Sequence, residues 1–415
     1  MIALKTIRNH WKKSLFAAGV VGYGLDYAKT SFEITQHMKN VCAETVAIGK
    51  VCDKPKHVVV VLNPAANKRK AEKMFKEYCE PILHLSGYSV DIIKTTQEGH
   101  VKTWLNDMTV RPHAIVVAGG DGTASEVVTG LLRRKDGKCP IVLLPLGRKS
   151  STAVKYLDIK PENKLDRVKS LTAALMPLLQ ENFKSESVMK VDFIDDSEED
   201  NNKADSIKQN ATIYGLNDFS WGFLRDLESI TDKYWYFGPL RQYAATFFNA
   251  FSNKLNWNFD TDYVYTPPCA GCSNCLPSES KSYVKKFLPR MYTVRDTNTA
   301  NVNSYKLNED CNTKTEGHTN VNQLNITCKQ NIDTGSSLET KMIDTLTPGV
   351  DFVKKINKVI DKELQPNSTI NSRTIQLKPQ VKEAPDAHYS IDGEEYDVKP
   401  LRIEVVPNAI QVFCK

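Results

Sequence analysis

The sequence lacks the features of several specialised protein classes. Its 415 residues include only 20 Gly and 19 Pro, with 41% hydrophobic and 25% charged residues, which excludes a collagen, a coiled coil and a wholly disordered chain. The net charge of +6 is too small to indicate a nucleic-acid partner. The ten cysteines are mostly scattered, unlike a small secreted disulfide framework. A chain of this length holds about two or three domains.

Acidic residues are absent from the first 25 positions. No acid precedes Asp26, while Lys5, Arg8 and Lys12 share one face of a potential helix. The uncharged stretch Ser14–Leu25 has 12 residues, whereas a membrane-spanning helix needs about 20. A basic, acid-free start is typical of mitochondrial targeting or membrane-surface anchoring, so residues 1–54 are predicted to be such a segment followed by a polar connector. A cleaved secretory signal and a helix docked on the folded domain are the alternatives.

Apolar strands alternate with helices between residues 55 and 170. Strands are predicted at Val58–Leu62, Tyr88–Ile93, Ala114–Val117 and Ile141–Leu144, with helices at Ala71–Tyr78, His100–Asp107 and Ser125–Arg134. Continuous apolar strands of this kind are typical of a parallel sheet that is covered on both faces. We therefore predict an open α/β domain over residues 55–170.

Residues 185–412 have the pattern of a β-rich domain. Short strands are predicted at Val191–Ile194, Ala211–Leu216, Tyr263–Thr266, Ser390–Ile391 and Leu401–Val406. Long polar insertions separate them, the largest at about 270–380. Within these insertions, Asp195–Asp200 and Arg295–Thr340 are expected to be solvated loops because they contain few large apolar residues.

The segment Gly119-Gly120-Asp121-Gly122-Thr123 is the strongest chemical signal. It directly follows an apolar strand and precedes a helix. Such glycines let the backbone approach a polyphosphate, the helix N-terminus supplies N–H groups, and the Asp121 carboxylate can hold Mg²⁺ or water. The glycine spacing is neither that of a Walker loop nor that of a dinucleotide fingerprint. The alternative is a tight turn in which Asp121 only bonds backbone.

Two further groups support a phosphate site. Thr123 and Glu126 fit a capping box, which predicts Thr123 as the N-cap of the following helix. A carboxylate at that place would also face a bound phosphate, so Glu126 is kept as a supporting site residue. Lys68, with Arg69 and Lys70, follows the first strand and can neutralise phosphate charge, or is simply a solvated helix start.

These motifs together resemble the diacylglycerol/sphingosine kinase superfamily of soluble lipid kinases. The resemblance rests on residues 62–68 (LNPAANK), Thr95 with Gly99 and His100, the glycine loop through Val128, and Pro145-Leu146-Gly147. Residues 8–13, 81–87, 233–240 and 390–396 are similar to the mitochondrial branch of that superfamily that phosphorylates acylglycerols. The similarity covers most of the chain except about residues 195–208 and 270–380.

The resemblance implies an N-terminal nucleotide-binding domain and a C-terminal β-sandwich-like domain, with ATP and lipid meeting in the cleft between them. The nucleotide contacts that it implies are Asn63, Pro64, Lys68, Thr95, Gly119, Gly120, Gly122, Thr123, Glu126, Gly147 and Ser150. Many relatives carry Thr-x-Asn-Asp after the Pro-Leu-Gly strand end. Here Gly147–Ser151 reads GRKSS, which removes amide and carboxylate contacts but leaves hydroxyls that can bond phosphate or Asp121.

The resemblance also implies the catalytic and substrate residues. Asp392-Gly393-Glu394 is similar to a family motif that returns to the active site, and Glu394 is assigned as the leading general base. Asp121 is assigned as the metal and phosphate organiser, with the reversed assignment open. Without the resemblance, Asp392-Gly393 is equally typical of a hairpin turn.

On the lipid side, Trp221, Arg225 and Asp226 are similar to the family's substrate segment. The aromatic cluster Tyr234–Phe237 is either core or lipid-facing, and Tyr243–Phe251 is expected to line an acyl tunnel or to lie on a membrane.

The expected protein is an ATP- and Mg²⁺-dependent kinase that phosphorylates mono- and diacylglycerol, giving lysophosphatidic and phosphatidic acid. The resemblance implies a membrane-surface location at the mitochondrial inner membrane or in the intermembrane space. A sphingosine or ceramide kinase is the alternative enzyme. A protein of another class, a non-catalytic subunit of the inner-membrane carrier translocase, is the alternative role.

Three cysteines form a separate cluster. Cys269, Cys272 and Cys275 have C-x-x-C-x-x-C spacing, which supplies three of the four ligands of a closed tetrahedral metal site. Cys311 and Cys328 are both available as a fourth ligand, and the sequence does not choose between them. A redox-active pair is equally compatible with this spacing.

Overall fold

The computed structural model describes residues 11–48, 55–97, 99–134, 139–148, 150–157, 163–194, 212–250, 258–269, 272, 309–331, 335–346, 349–360, 364–380 and 388–414. The chain divides into two compact units. The first comprises Met1–Ser185 together with Ile410–Lys415, and the second comprises Glu186–Ala409.

A parallel sheet forms the centre of the first unit. Its strands are β1 (His57–Leu62), β2 (Ser89–Lys94), β3 (Ala114–Gly119) and β4 (Ile141–Pro145), in the spatial order β2-β1-β3-β4. Every residue of β3 and β4 is buried, because a parallel sheet is covered on both faces. The predicted α/β sheet is therefore confirmed. Val412, near the end of the last strand of the chain, pairs in parallel with Ile141.

Helices cover this sheet. After α1 (Trp11–Ile48) they are α2 (Ala71–Met74), α3 (Glu80–Leu85), α4 (His100–Asp107), α5 (Asp121–Arg133), α6 (Ser151–Val154) and α7 (Lys164–Gln180). A π-helical segment, Phe75–Cys79, joins α2 to α3, so the predicted helix Ala71–Tyr78 continues to Leu85. Helix α5 starts at Asp121, four residues before its predicted start.

Helix α1 is exposed in its first half and packed in its second. Ile34 and Val41 are buried in the core of the first unit, with Met38 packed against it. The His37 Nε2 atom lies 2.9 Å from the Thr172 hydroxyl of α7. The sequence prediction of a polar connector was wrong for this segment, because Ile34, Met38 and Val41 recur at helical spacing and form an apolar stripe. The docked-helix alternative thus describes the second half of α1.

Two antiparallel sheets share one core in the second unit. One sheet has the order β12-β11-β10-β7-β14-β15 and the other contains the run β16-β13-β8-β9, with β5 paired to β6. Phe219 and Ile326 of the first sheet lie in the same buried cluster as Ile375 and Ile403 of the second. This arrangement is a β-sandwich, as predicted. The strands are β5 (Phe183–Phe193), β6 (Ile213–Gly215), β7 (Asp218–Gly222), β8 (Phe259–Thr266), β9 (Thr315–Val321), β10 (Gln323–Asn331), β11 (Gly335–Ile343), β12 (Ser368–Ser372), β13 (Thr374–Gln380), β14 (His388–Ile391), β15 (Glu394–Asp397) and β16 (Leu401–Phe413).

The sequence prediction of a solvated loop at Arg295–Thr340 was wrong for its described part. Strands β9, β10 and the start of β11 lie there. Leu324 and Ile326 of β10 are fully buried, as is Leu338 of β11. These few apolar residues alternate with polar ones, and period-two alternation is sufficient to bury one face of a strand. The segment Asp195–Asp200 lies outside the described residues.

A helical part packs beside the sandwich in the second unit. It contains α8 (Phe223–Thr231), α9 (Arg241–Asn249), α10 (Val350–Lys354) and α11 (Ile356–Ile360), with the 3₁₀ segment Asp232–Leu240 before α9. Phe223, Ala245 and Phe352 are buried in its small core. The cluster Tyr234–Phe237 is not core throughout, because Trp235 is 73% exposed and Tyr236 is 63% exposed.

Candidate active site

The carboxyl ends of β1 and β3 are joined by Asn63. Its backbone N–H donates to the Ala118 carbonyl of β3 at 3.0 Å. Its side-chain amide donates to the Thr123 hydroxyl at 3.2 Å, and its Oδ1 accepts the Ala65 N–H at 3.0 Å. The strand order reverses between β1 and β3, and open α/β sheets bind ligands at this kind of switch point.

The glycine loop packs tightly against the helix that follows it. A Cβ on Gly119 would lie 2.5 Å from the Thr123 hydroxyl oxygen, so Thr123 can reach Asn63 only if residue 119 is glycine. Gly120 is the extended N-cap of α5, and Asp121 and Gly122 are its first two residues. The loop therefore presents the N-terminus of a helix at the carboxyl edge of the sheet, which is an arrangement suited to anions.

The predicted capping box is absent. Thr123 lies inside α5 and Gly120 is the N-cap, with no side-chain capping bond. The Glu126 Oε1 atom instead accepts the backbone N–H of Gly99 at 3.0 Å. The Thr-x-x-Glu pattern was misleading because the N-cap is Gly120, three residues before Thr123. Glu126 therefore points toward the start of α4.

The Asp121 carboxylate holds the segment Ser151–Thr152. Its Oδ2 accepts the Ser151 backbone N–H at 2.9 Å and the Ser151 hydroxyl at 2.8 Å, and its Oδ1 accepts the Thr152 N–H at 2.9 Å. The carboxylate is only 7% exposed. Ser150 points elsewhere, since its hydroxyl accepts the Gly147 N–H at 3.1 Å. Of the two predicted hydroxyl contacts to Asp121, the structure therefore places Ser151 there.

The remaining predicted nucleotide contacts lie on the same edge of the sheet. Thr95 follows β2 and donates its backbone N–H to the Leu62 carbonyl at 2.9 Å. Pro64 begins the turn after β1, in which Asn67, Lys68 and Arg69 all have left-handed backbone conformations. Left-handed non-glycine residues are costly in energy and concentrate at functional sites. Lys68 is exposed, so a solvated side chain and a phosphate contact both fit its position.

The second unit contains the Asp392-Gly393 turn. Both residues have positive φ, 49° and 84°, and they connect β14 to β15 as a hairpin. The Asp392 carboxylate accepts the backbone N–H groups of Leu216, Asn217 and Asp218 at 2.7, 2.8 and 3.1 Å. Burial raises the pKa of Asp392 to about 7, although these three donors favour the charged form. The hairpin alternative is thus correct for these two residues.

Glu394 is less buried than Asp392. It opens β15 and is half-buried, and its Oε2 accepts the Tyr396 hydroxyl at 2.6 Å. Its neighbour Glu395 is the residue that sequence reasoning missed. Arg225 Nη2 lies 2.7 Å from Glu395 Oε1, while Arg225 Nη1 donates to Asp226 at 3.0 Å.

This ion pair brings two predicted groups together within the second unit. Arg225 and Asp226 are each 8% exposed, and through Glu395 they connect α8 to the strand that begins with Glu394. No local sequence pattern marks Glu395, because its contact with Arg225 depends on how α8 lies against the strand that begins with Glu394. Trp221, by contrast, is 5% exposed and stacks on Phe259 with ring centroids 3.7 Å apart. These are contacts of a core residue, and a substrate contact by Trp221 stays a prediction.

Gly222 fixes the junction between Trp221 and α8. Its φ is +122°, and a Cβ there would lie 2.3 Å from the Asn322 carbonyl oxygen. The buried Gln323 side chain accepts the Leu224 N–H at 3.0 Å and donates to the Ser220 hydroxyl at 2.8 Å. Glycine at 222 therefore sets the direction in which α8 carries Arg225 and Asp226.

Comparison with known proteins shows which protein families share this architecture. Residues 57–181 match the diacylglycerol kinase catalytic domain, and residues 214–415 match the acylglycerol kinase C-terminal domain. A crystal structure of a diacylglycerol kinase from Bacillus anthracis str. Sterne has the same fold, with a TM-score of 0.52 at 12% identity, covering 88% of this chain and 99% of that one. The two matched domain families thus define the class as the lipid kinases.

The relatives narrow the class further. The chain is 30% identical over 435 residues to the mitochondrial acylglycerol kinase of Homo sapiens, a match that covers 100% of this chain and 96% of that protein. Its 24% identity to sphingosine kinase 1 of Homo sapiens extends over 202 residues, 48% of this chain and 49% of that protein. The chain belongs to the acylglycerol kinase family. The lipid kinase prediction is therefore confirmed, and the sphingosine kinase alternative is not favoured.

Proposed function

We propose that this protein transfers the γ-phosphoryl group of ATP to the free hydroxyl of mono- and diacylglycerol, forming lysophosphatidic and phosphatidic acid. The observation that carries this proposal is the convergence of Asn63, the glycine loop and the Ser151–Thr152 segment at the carboxyl edge of one parallel sheet. Phosphoryl transfer depends mainly on positioning and charge stabilisation, and a helix N-terminus with nearby amide and hydroxyl groups provides both.

The residues of the first unit bind and orient the nucleotide in this proposal. Backbone N–H groups of Gly120, Asp121 and Gly122 at the start of α5 point toward the phosphates, and Thr123 keeps Asn63 in place. Thr95, Gly147 and Ser150 line the same edge. Lys68 neutralises phosphate charge from the exposed turn after β1.

Asp121 fits the role of a Mg²⁺ ligand. Among the described residues its Oδ1 accepts one hydrogen bond, and a carboxylate oxygen has a second lone pair for a hard cation. Mg²⁺ is commonly held by one or two carboxylates with water and substrate phosphates as the other ligands. When bound, the ion neutralises charge on the phosphates during transfer.

The residues of the second unit act on the lipid. Glu394 takes the proton of the attacking hydroxyl as general base, and the Tyr396 hydroxyl orients its carboxylate. Asp226, held by Arg225, binds a glycerol hydroxyl. Asp392 is unsuited to the base role because its two oxygens are already bonded to three backbone N–H groups.

An exposed aromatic patch supports work at a membrane surface. Trp235, Tyr236, Leu240, Phe247 and Phe248 are each at least half exposed, and amphipathic aromatic residues favour the bilayer interface. Within the described part of the chain, no helix is long and apolar enough to span a bilayer. The names of its relatives place those proteins in mitochondria, and we propose the mitochondrial inner membrane or the intermembrane space as the location of this protein.

Vesicle co-sedimentation tests the patch. Changing Trp235 and Phe247 to Ser removes two exposed aromatic side chains and is expected to lower the bound fraction on vesicles that contain anionic lipid about tenfold. The matched control is Val110→Ser, which removes a side chain that is 68% exposed in the first unit. Equal binding by all three proteins would contradict this role for the patch.

The central experiment measures ATP-dependent phosphorylation of monoacylglycerol, diacylglycerol, ceramide and sphingosine in detergent micelles. Asp121→Asn and Glu394→Gln are compared with the exposed controls Asp107→Asn and Asp397→Asn. Acylglycerol turnover that only the first two substitutions abolish supports the kinase and both assigned carboxylates. Preferred turnover of sphingosine or ceramide would overturn the substrate assignment.

The second candidate function is a non-catalytic subunit of the inner-membrane carrier translocase. The segment Gly147–Ser151 motivates it, because two serines stand there where the resemblance to the wider superfamily implies an amide and a carboxylate. In that case no lipid would be turned over above the level of the Asp121→Asn protein, and co-purification with the translocase would survive that substitution.

A further inference from the structure

Three cysteine sulfur atoms converge at one end of the sandwich. The Sγ atoms of Cys269, Cys272 and Cys311 all lie within 4.8 Å of one another. Cys272 is 2% exposed and Cys311 is fully buried. Sulfurs bound to one tetrahedral zinc ion at 2.3 Å are about 3.8 Å apart, so small side-chain adjustments are sufficient for all three to bind one ion.

Two neighbouring strand ends position this cluster. Cys269 and Cys272 follow β8, and Cys311 lies in the 3₁₀ turn Glu309–Asn312 just before β9. These strands pair in antiparallel fashion, with Tyr265 opposite Thr315. The convergence therefore follows from the strand register, although residues 273–310 separate Cys272 from Cys311 in sequence.

A cationic side chain accompanies the sulfurs. Arg373 immediately precedes β13, on the other side of β8, and its backbone N–H donates to the Thr266 carbonyl at 2.9 Å. Its guanidinium donates to Cys311 Sγ at 3.3 Å and to Asn312 Oδ1 at 3.0 Å. Three thiolates around one divalent cation carry a net negative charge, which a neighbouring guanidinium stabilises. Groups of this kind around a metal site orient the ligands and tune them.

The structure also distinguishes between the two additional cysteines that the sequence offered. Cys311 joins the pair, whereas Cys328 lies on β10 and packs against the sandwich core. Cys275 lies outside the described residues. A disulfide uses two sulfurs and leaves the third without a role, whereas a metal ion uses all three.

We propose that Cys269, Cys272 and Cys311 supply three of the four ligands of a structural zinc ion. On binding, the three thiols lose their protons and form three Zn–S bonds, so that one ion and three cysteine side chains give a complex and three released protons. The ion links the end of β8 to the start of β9 and closes the long insertion between them. This role is independent of the kinase reaction.

The test measures metal content in the full-length protein purified from cells grown with zinc and dialysed against a weak chelator. Elemental analysis by inductively coupled plasma mass spectrometry is expected to find about one zinc per chain. The zinc content should fall at least about tenfold in Cys269→Ser, Cys272→Ser and Cys311→Ser. Cys42→Ser, a partly exposed cysteine on α1, is the matched control and keeps the zinc. Cys269 is only partly buried, so its serine variant is the one expected to fold most normally, as circular dichroism checks.

A second readout does not depend on variants. Replacing zinc by cobalt in the wild-type protein is expected to produce thiolate-to-cobalt charge-transfer absorption in the near ultraviolet, which thiol-free ligation does not give. Three outcomes would overturn the proposal: a metal-free wild-type chain, zinc retained in all three serine variants, or iron in place of zinc. An intact mass lowered by two hydrogens in the metal-free chain would identify a disulfide instead.

Discussion

Two Asp-Gly dipeptides, one in each unit, have contrasting environments. Asp121-Gly122 opens helix α5, whereas Asp392-Gly393 forms a hairpin with positive φ at both residues. Each carboxylate accepts three hydrogen bonds. The donors to Asp121 include a serine hydroxyl at the start of another helix, whereas those to Asp392 are three successive backbone N–H groups. The same dipeptide therefore opens a helix at the carboxyl edge of the sheet in one unit and forms an internal turn in the other.

The contrast shows why hydrogen-bond number alone does not identify a functional carboxylate. Asp392 is 2% exposed, and even an added Cβ on Gly215 would lie 3.5 Å from its Oδ2. Protein therefore covers that carboxylate, and its role is to fasten the loop Leu216–Asp218. Asp121 lies at the edge of the sheet where ligands bind in open α/β folds. Glu394, two residues further on, is only half-buried and accepts the Tyr396 hydroxyl.

The largest expected effect separates Glu394 from Asp392. Glu394→Gln removes the proposed general base while keeping the size of the side chain and an oxygen for the Tyr396 hydroxyl. We expect kcat for monoacylglycerol to fall about 10²–10⁴-fold with little change in thermal stability. Steady-state kinetics and thermal unfolding measure the two effects. A loss below about tenfold would contradict the assignment and favour the reversed one, with Asp121 as the base.

Asp121→Asn is expected to have the next largest effect on turnover. The amide keeps one oxygen but loses the charge that receives three donors, and electrostatic contacts of this kind are worth about 10²–10³-fold in rate. Affinity for Mg·ATP should weaken in parallel, as isothermal titration measures. The control Asp107→Asn is expected to change neither the turnover rate nor the affinity for Mg·ATP. If turnover were lost while the affinity for Mg·ATP stayed unchanged, the assignment of Asp121 as a metal ligand would be contradicted.

The sign of the pH effect at Asp392 sharpens the comparison. Its folded-state pKa of about 7 lies above its ordinary value of 3.8, so between those values the folded chain keeps a proton that the unfolded chain has lost. Its contribution to stability is fully present below about pH 4 and is lost as the pH rises through 7. The shift corresponds to roughly 4 kcal/mol of unfolding free energy.

Asp392→Asn is expected to abolish this part of the pH dependence. Denaturant unfolding between about pH 4 and pH 8 gives the slope for wild type and variant, and their difference isolates residue 392. The exposed Asp397→Asn protein should keep the wild-type slope. Identical slopes in wild type and Asp392→Asn would mean that the three N–H donors outweigh burial, and that Asp392 is charged like an ordinary aspartate.

Particular residues show which parts of the fold and of the candidate site could be predicted from the sequence. The run Val58–Leu62 and the loop after β3 predicted a parallel sheet with a phosphate site, because apolar continuity and glycine spacing are local properties. The capping box at Thr123 failed because the start of a helix depends on its neighbours, here Asn63 and Gly99. Glu395 and the convergence of Cys311 with Cys269 depend on strand register, which brings together residues far apart in sequence and has no local signature.

Ser151→Ala gives the smallest expected effect and tests how Asp121 is held. The change removes one of the three donors and leaves the Ser151 and Thr152 backbone N–H groups in place. A hydrogen bond to a charged group is worth about 1.5–3 kcal/mol, and the two remaining donors should limit the loss of kcat/KM to about tenfold. Ser150→Ala is the matched comparison, because that hydroxyl bonds Gly147 instead. A larger loss of kcat/KM in Ser150→Ala would mean that the segment contacts the nucleotide directly and that its hold on Asp121 is secondary. A larger loss in Ser151→Ala would mean that the serines serve chiefly to position the Asp121 carboxylate.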